Sequence, residues 1–143
     1  DYGLIESTSR GLQAGHYHNM TNIAGGLDTS INELLSRGRE GALKLIVLLS
    51  DGRANYLPLY ESLFSSPREA AIREAWQARD NDIIILTISL GSNADTVLLS
   101  EIADITGGVH FVIPGGDDVS DYEEDLYEIF ARVAGHLPLK LVY

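Results

Sequence analysis

Two kinds of apolar pattern divide the chain: short unbroken runs, and longer stretches where apolar residues recur every three or four positions. The runs are "LKLIVLLS" at 43–50, "IIILTISLG" at 83–91 and "VHFVI" at 109–113. Their brevity, β-branched content and flanking glycines favour strands over helices. The run at 43–50 is apolar on both faces and reads as a central strand covered on both sides, as in parallel sheets.

The recurring pattern predicts helices around these strands. In "IAGGLDTSINELLSRG", Ile23, Leu27, Ile31, Leu34 and Leu35 share a face, Thr21 or Asn22 supplies the cap and Gly38 the end. Pro67 starts "PREAAIREAWQARD", with Ala71, Ile72, Ala75 and Trp76 on its inner face. "NADTVLLSEIADITGG" begins near Asn93 or Asp95 and closes at Gly107. "DDVSDYEEDLYEIFARVAGHL" turns Leu126, Ile129, Phe130 and Val133 inward and keeps its acidic residues early, where the helix dipole favours them. A weaker helical pattern covers 2–13, and "LKLVY" reads as a short terminal strand. From Leu43 onward the order is β-α-β-α-β-α, which predicts an α/β fold doubly wound around a mainly parallel sheet.

Composition narrows the partners. The 143 residues amount to one domain, and an apolar share of 45% is enough for a core. Ten basic against 21 acidic residues leave a charge of −11, which argues against nucleic acid. The absence of cysteine rules out disulfides, thiolate metal sites and thiol catalysis. No apolar run has membrane-spanning length, so any membrane link would come from flanking segments. The opening "DYGLIESTSRG" reads like the middle of a domain, so the expectation is an N-terminally incomplete one.

Chemistry concentrates where the first apolar run stops. It passes directly into Ser50-Asp51-Gly52, and ligands on open parallel sheets bind beyond the carboxyl ends of strands. Asp51 is therefore either a ligand or a turn residue, Asp-Gly being a common turn pair. Thr21, at the start of the helix that precedes this strand, reads from its position as a candidate N-cap.

Taken together, "MTNIAGGL", "LIVLLSDGRAN", "ILTISLGSNADTVLLSEIADITGG" and the final helix resemble a von Willebrand factor type A domain over nearly the whole chain. The closing "YEIFARVAGHLPLKLVY" resembles the bacterial TadG-like subgroup associated with tight-adherence pili. The resemblance implies a metal-ion-dependent adhesion site built from three loops: an Asp-x-Ser-x-Ser motif, a threonine and an aspartate. Thr21 matches the threonine and Asp51 the aspartate. They would contribute a hydroxyl and a carboxylate to magnesium, or to manganese or calcium, since hard ions take oxygen ligands. An open coordination position would take an acidic side chain from a protein partner, in an extracellular or cell-surface setting.

The Asp-x-Ser-x-Ser motif does not precede Thr21, so the whole of 1–143 reads as a partial domain in which cation binding is weak or absent. Asp28-Thr29-Ser30-Ile31-Asn32 and Asp118-Val119-Ser120 are similar in spelling, but one lies inside a helix and the other caps one. Without the family's first strand, the strand at 43–50 would show a bare apolar edge, and such edges recruit pairing from other chains. A covering segment, another chain or a second copy is therefore expected there.

The other chemistry-bearing residues have plainer readings. His16 and His18 belong to an exposed loop, and His110 is packed or hydrogen-bonded within its strand. Asn19-Met20-Thr21 spells a glycosylation sequon whose glycan would obstruct Thr21. Tyr56, Tyr60 and Phe64 pack over the sheet or frame a partner surface, while Ser50 and Gly52 are structural neighbours of Asp51. A phosphotransfer or hydrolase role for Asp51 lacks support, because no glycine-rich phosphate loop follows a strand and no acid–base pair is evident. The expectation is a non-enzymatic protein-binding module, with a metal-free assembly domain of a pilus or cell surface as the rival.

Overall fold

The computed structural model describes residues 2–11, 20–57, 64–115 and 120–136. Its elements are α1 (Tyr2–Gly11), α2 (Ile23–Arg37), β1 (Lys44–Ser50), α3 (Pro67–Asp80), β2 (Ile83–Leu90), α4 (Thr96–Thr106), β3 (His110–Ile113) and α5 (Ser120–His136). The terminal strand expected at 139–143, together with His16, His18, Asn19, Tyr60, Asp118 and Val119, lies outside the described residues.

Each helix between strands is bounded by residues that satisfy its open backbone groups. Asn22 caps α2 by accepting from the Gly25 N–H, and Ser66 caps α3 by accepting from that of Glu69, with Pro67 at the first turn. Asp95 caps α4 through the Leu98 N–H. Gly107 ends α4 in the left-handed conformation that glycine adopts without steric cost. Gly108 then passes so close to β2 that any Cβ there would collide with the Ile85 carbonyl. This tight passage sets β3 beside β2.

The strands form one parallel sheet in the order β1-β2-β3. Lys44 pairs with Ile83 and Ser50 with Ser89 across β1 and β2; Thr87 pairs with His110 and Leu90 with Ile113 across β2 and β3. Parallel neighbours need crossovers, and α3 and α4 supply them. Both lie on one face, with α2 packed against α3, and they bury Ile46, Ile83, Ile85, Leu98, Leu99 and Ile102 in the main core. On the other face α5 packs over β3, where Ile88, Ile113 and Ile129 form a second, smaller core. Helices on both sides of a parallel sheet make this a Rossmann-like α/β fold.

The structure corrects three expectations. β1 is covered on one face only: Ile46 and Ser50 are buried, whereas Val47 and Leu49, pointing the other way, are 38% and 45% exposed. Among the described residues, β1 has no strand on its outer edge, and α5 packs chiefly on β3. Trp76 is not on the inner face of α3. It is 42% exposed with Arg79 stacked on its ring, and Glu74 takes the buried position. Phe130 is likewise 48% exposed; the buried stripe of α5 runs through Ile129, with Leu126 and Val133 packed beside it.

Candidate functional site

A parallel sheet gathers the carboxyl ends of its strands on one rim, so the loops leaving Ser50, Leu90 and Ile113 open on the same side. At the end of β1 the buried Ser50 hydroxyl folds back on the turn, donating to the Gly52 carbonyl at 3.2 Å and facing the Gly52 N–H at 3.4 Å. That ring shapes the turn and leaves the Asp51 side chain exposed at its apex. Ser50 is thus a structural neighbour.

The segment ahead of α2 reaches the same turn. Because Asn22 makes the cap, with its Oδ1 accepting from the Gly25 N–H at 2.9 Å, the Thr21 side chain is not committed to capping. The Thr21 N–H donates to Asn55 Oδ1 at 2.7 Å, and the Asn55 and Tyr56 N–H groups both donate to the Thr21 carbonyl, at 3.1 and 3.3 Å. Through this clasp the Thr21 hydroxyl comes against Gly52. A Cβ placed on Gly52 would sit 3.0 Å from Thr21 Oγ1, a tight contact, so the hydroxyl lies directly beside the Gly52 backbone. Thr21 and the Asp51 turn, remote in sequence, therefore meet at the rim.

A family model for the von Willebrand factor type A domain matches residues 7–125, which takes in both loops, all three strands and the start of α5. The chain belongs to that family. Type A domains are interaction modules that typically carry no enzymatic activity. No curated protein gives a significant match.

How well would the rim of this type A domain suit a cation? A half-buried threonine hydroxyl beside the turn that carries an exposed aspartate offers oxygen donors of the kind a hard divalent ion prefers. These two positions fit. Among the described residues, no group of three or more His, Asp or Glu side chains adds to them. The look-alike motif in α2 is spent on its own helix: Thr29 and Ser30 donate to the Gly25 and Gly26 carbonyls at 2.8 Å, and Asp28 accepts from Asn32 at 3.0 Å.

Elsewhere two titratable groups are drawn toward the interior, His110 partly buried and Glu74 fully. His110 faces Thr87 Oγ1 through Nδ1 at 2.8 Å and Ser89 Oγ through Nε2 at 3.5 Å. The Thr87 hydroxyl already donates to the Leu99 carbonyl at 2.9 Å, which assigns the proton to Nδ1 and leaves Nε2 as an acceptor. Burial pushes the imidazole below its ordinary value, opposed by its contact with Thr87 and by Asp104. Ser89 is fully buried, so this serine–histidine contact fills the core beneath α4 and offers no nucleophile to a substrate. The second group, Glu74 on α3, is 4% exposed, and its Oε2 has no hydrogen-bond partner. Burial chiefly raises its pKa, Asp28 of α2 adds to the effect and Arg73 opposes it. Asn55 and Glu74 escape sequence reasoning. Asn55 partners a backbone far away in the chain, and Glu74 is a charged residue in a buried stripe.

Proposed function

We propose that this domain binds a protein partner with the help of a divalent cation held at the rim by Thr21 and Asp51, and that it does no chemistry on that partner. The supporting observation is the convergence of the Thr21 hydroxyl on the turn that carries Asp51, where it lies directly beside Gly52. Magnesium is the natural occupant, with manganese or calcium as substitutes, and a remaining coordination position would accept an acidic side chain of the partner. With only two side-chain donors in view, binding by this chain should be weak, on the order of millimolar. A cell-surface setting, as in the pilus-associated TadG-like subgroup, would suit such an adhesive role. Manganese makes the test local, because its unpaired electrons broaden nearby amide resonances. Titration should broaden those of Thr21 and Asp51 first, and Asp51→Ala should abolish the effect. Broadening that ignores both loops contradicts the proposal.

The uncovered flank of β1 favours a second reading, in which the domain assembles without metal. Apolar residues such as Val47 and Leu49, next to a strand edge that no described residue pairs with, invite pairing with another chain or a second copy. Sedimentation velocity in excess chelator separates the two readings: unchanged self-association supports metal-free assembly, and a monomer at every concentration refutes assembly between copies.

A further inference from the structure

The clasp at the rim has one side chain in it. We infer that Asn55 is a positioning residue for the cation site, fixing the Thr21 hydroxyl relative to Asp51; this deepens the cation-dependent reading and rests on it. Both backbone polar groups of Thr21 are taken by the Asn55–Tyr56 segment: its N–H by Asn55 Oδ1 at 2.7 Å, its carbonyl by the two N–H groups at 3.1 and 3.3 Å. With the peptides on either side of Thr21 held in this way, the direction of its Cα–Cβ bond is set, and the hydroxyl is delivered beside Gly52. The same short loop carries Asp51, so the clasp ties the two candidate ligands to one piece of backbone.

The chemistry asks for asparagine or its near isostere. The side chain must present an acceptor while its own N–H donates back to the same residue, and the carbonyl of asparagine stands at the reach that permits both. Alanine has no acceptor, and glutamine carries its carbonyl one methylene further out. Aspartate keeps the acceptor in place. An exposed hydrogen bond adds little to overall stability. What it contributes here is alignment, on which a ligand set with few members depends strongly.

The test compares the full chain with Asn55→Ala and Asn55→Asp by amide hydrogen exchange without metal, and by manganese broadening. In Asn55→Ala the Thr21 amide should exchange at least tenfold faster than in the parent, and Asn55→Asp should restore protection. On adding manganese, Asn55→Ala should retain broadening at Asp51 and lose it at Thr21, a split that general unfolding would not produce because it would abolish both. Unchanged Thr21 exchange and unchanged broadening in Asn55→Ala overturn the role of Asn55 and leave the cation reading standing. Absence of broadening in the parent chain overturns the cation reading and, with it, any function of Asn55 toward an ion; the exchange data then report only whether the clasp exists.

Discussion

The same three strands present two faces, and the two are covered to very different extents. Toward α2, α3 and α4, side chains such as Ile83, Ile85, Leu98, Leu99 and Ile102 are almost completely removed from water. Toward α5, cover extends over β3 and the end of β2 and then stops, leaving a groove of about 320 Å³ lined by Leu43, Leu45, Ile84, Leu86 and Val109. Composition alone does not predict which face is closed: the covered one carries Ser50, Thr87 and Ser89 among its isoleucines, whereas the other is apolar at Leu45, Val47, Leu49, Ile84, Leu86 and Ile88. The difference lies in which helices are there to meet them. Stability is therefore concentrated on one side of the sheet, and the residues of the other side are available for contacts that the described part of the chain does not make.

The largest test of that asymmetry is Ile85→Ala on the closed face. Ile85 is fully buried in the centre of β2, so removing its methyl groups leaves a cavity that the surrounding helices can close only in part. A loss of about 3–4 kcal/mol is expected, read as a shift of the urea midpoint at unchanged slope. A loss below about 1 kcal/mol would mean that the face is looser than its burial implies.

A smaller effect is expected at Glu74, whose buried Oε2 is unpartnered in the closed face. Asp28 on the facing helix and Arg73 on its own are the charged groups that act on it. Its folded pKa lies above the ordinary 4.5, so between 4.5 and the folded value the native state holds more proton than the unfolded chain. Stability then falls as pH rises through that window. Below 4.5 both states are protonated and there is no penalty; above the folded pKa the whole penalty is present. Glu74→Gln removes the ionisation and should gain about 1–2 kcal/mol at neutral pH while flattening the pH profile. Thermal melts from pH 4 to 8 check it, and an unaltered profile would show that Glu74 does not titrate in the buried interface.

Local patterning was enough to place the helices and strands to within a few residues, because caps such as Asn22, Ser66 and Asp95 and the glycine after α4 act on their own neighbours. What the sequence hid depends on third parties. Residues 43–50 and 83–90 are similar apolar runs, yet among the described residues β2 has strands on both edges and β1 on one, a fact set by what lies alongside. On α3 the buried stripe is Ala70, Ala71, Glu74, Ala75 and Ala78, a helical spacing disguised by one charged member. The alanines allow the helix to approach closely, which leaves the bulky Trp76 outside, where size and hydrophobicity alone would have put it within. At the rim, Asp51 was legible as a strand-end residue, but its pairing with Thr21 only through resemblance to a family, since nothing local links residues so distant. Asn55 was not legible, because its task is to accept a hydrogen bond from a backbone group in another loop.

The smallest expected change in stability, and the sharpest test of the open face, is Val47→Lys. Val47 lies on the uncovered side of β1 and is already 38% exposed, so little burial is lost; a lysine there extends its stem along the apolar surface and keeps its ammonium in water. Stability should change by no more than about 0.5 kcal/mol. The informative readout is association. A charge on an edge strand is a common way for proteins to discourage sheet-to-sheet pairing. If copies meet through this flank, sedimentation should show the association of the parent chain weakened at least tenfold in Val47→Lys, with no change on removing divalent ions. Should Val47→Lys instead cost as much as Ile85→Ala, the two faces would be equally closed, and some covering segment would already occupy the second.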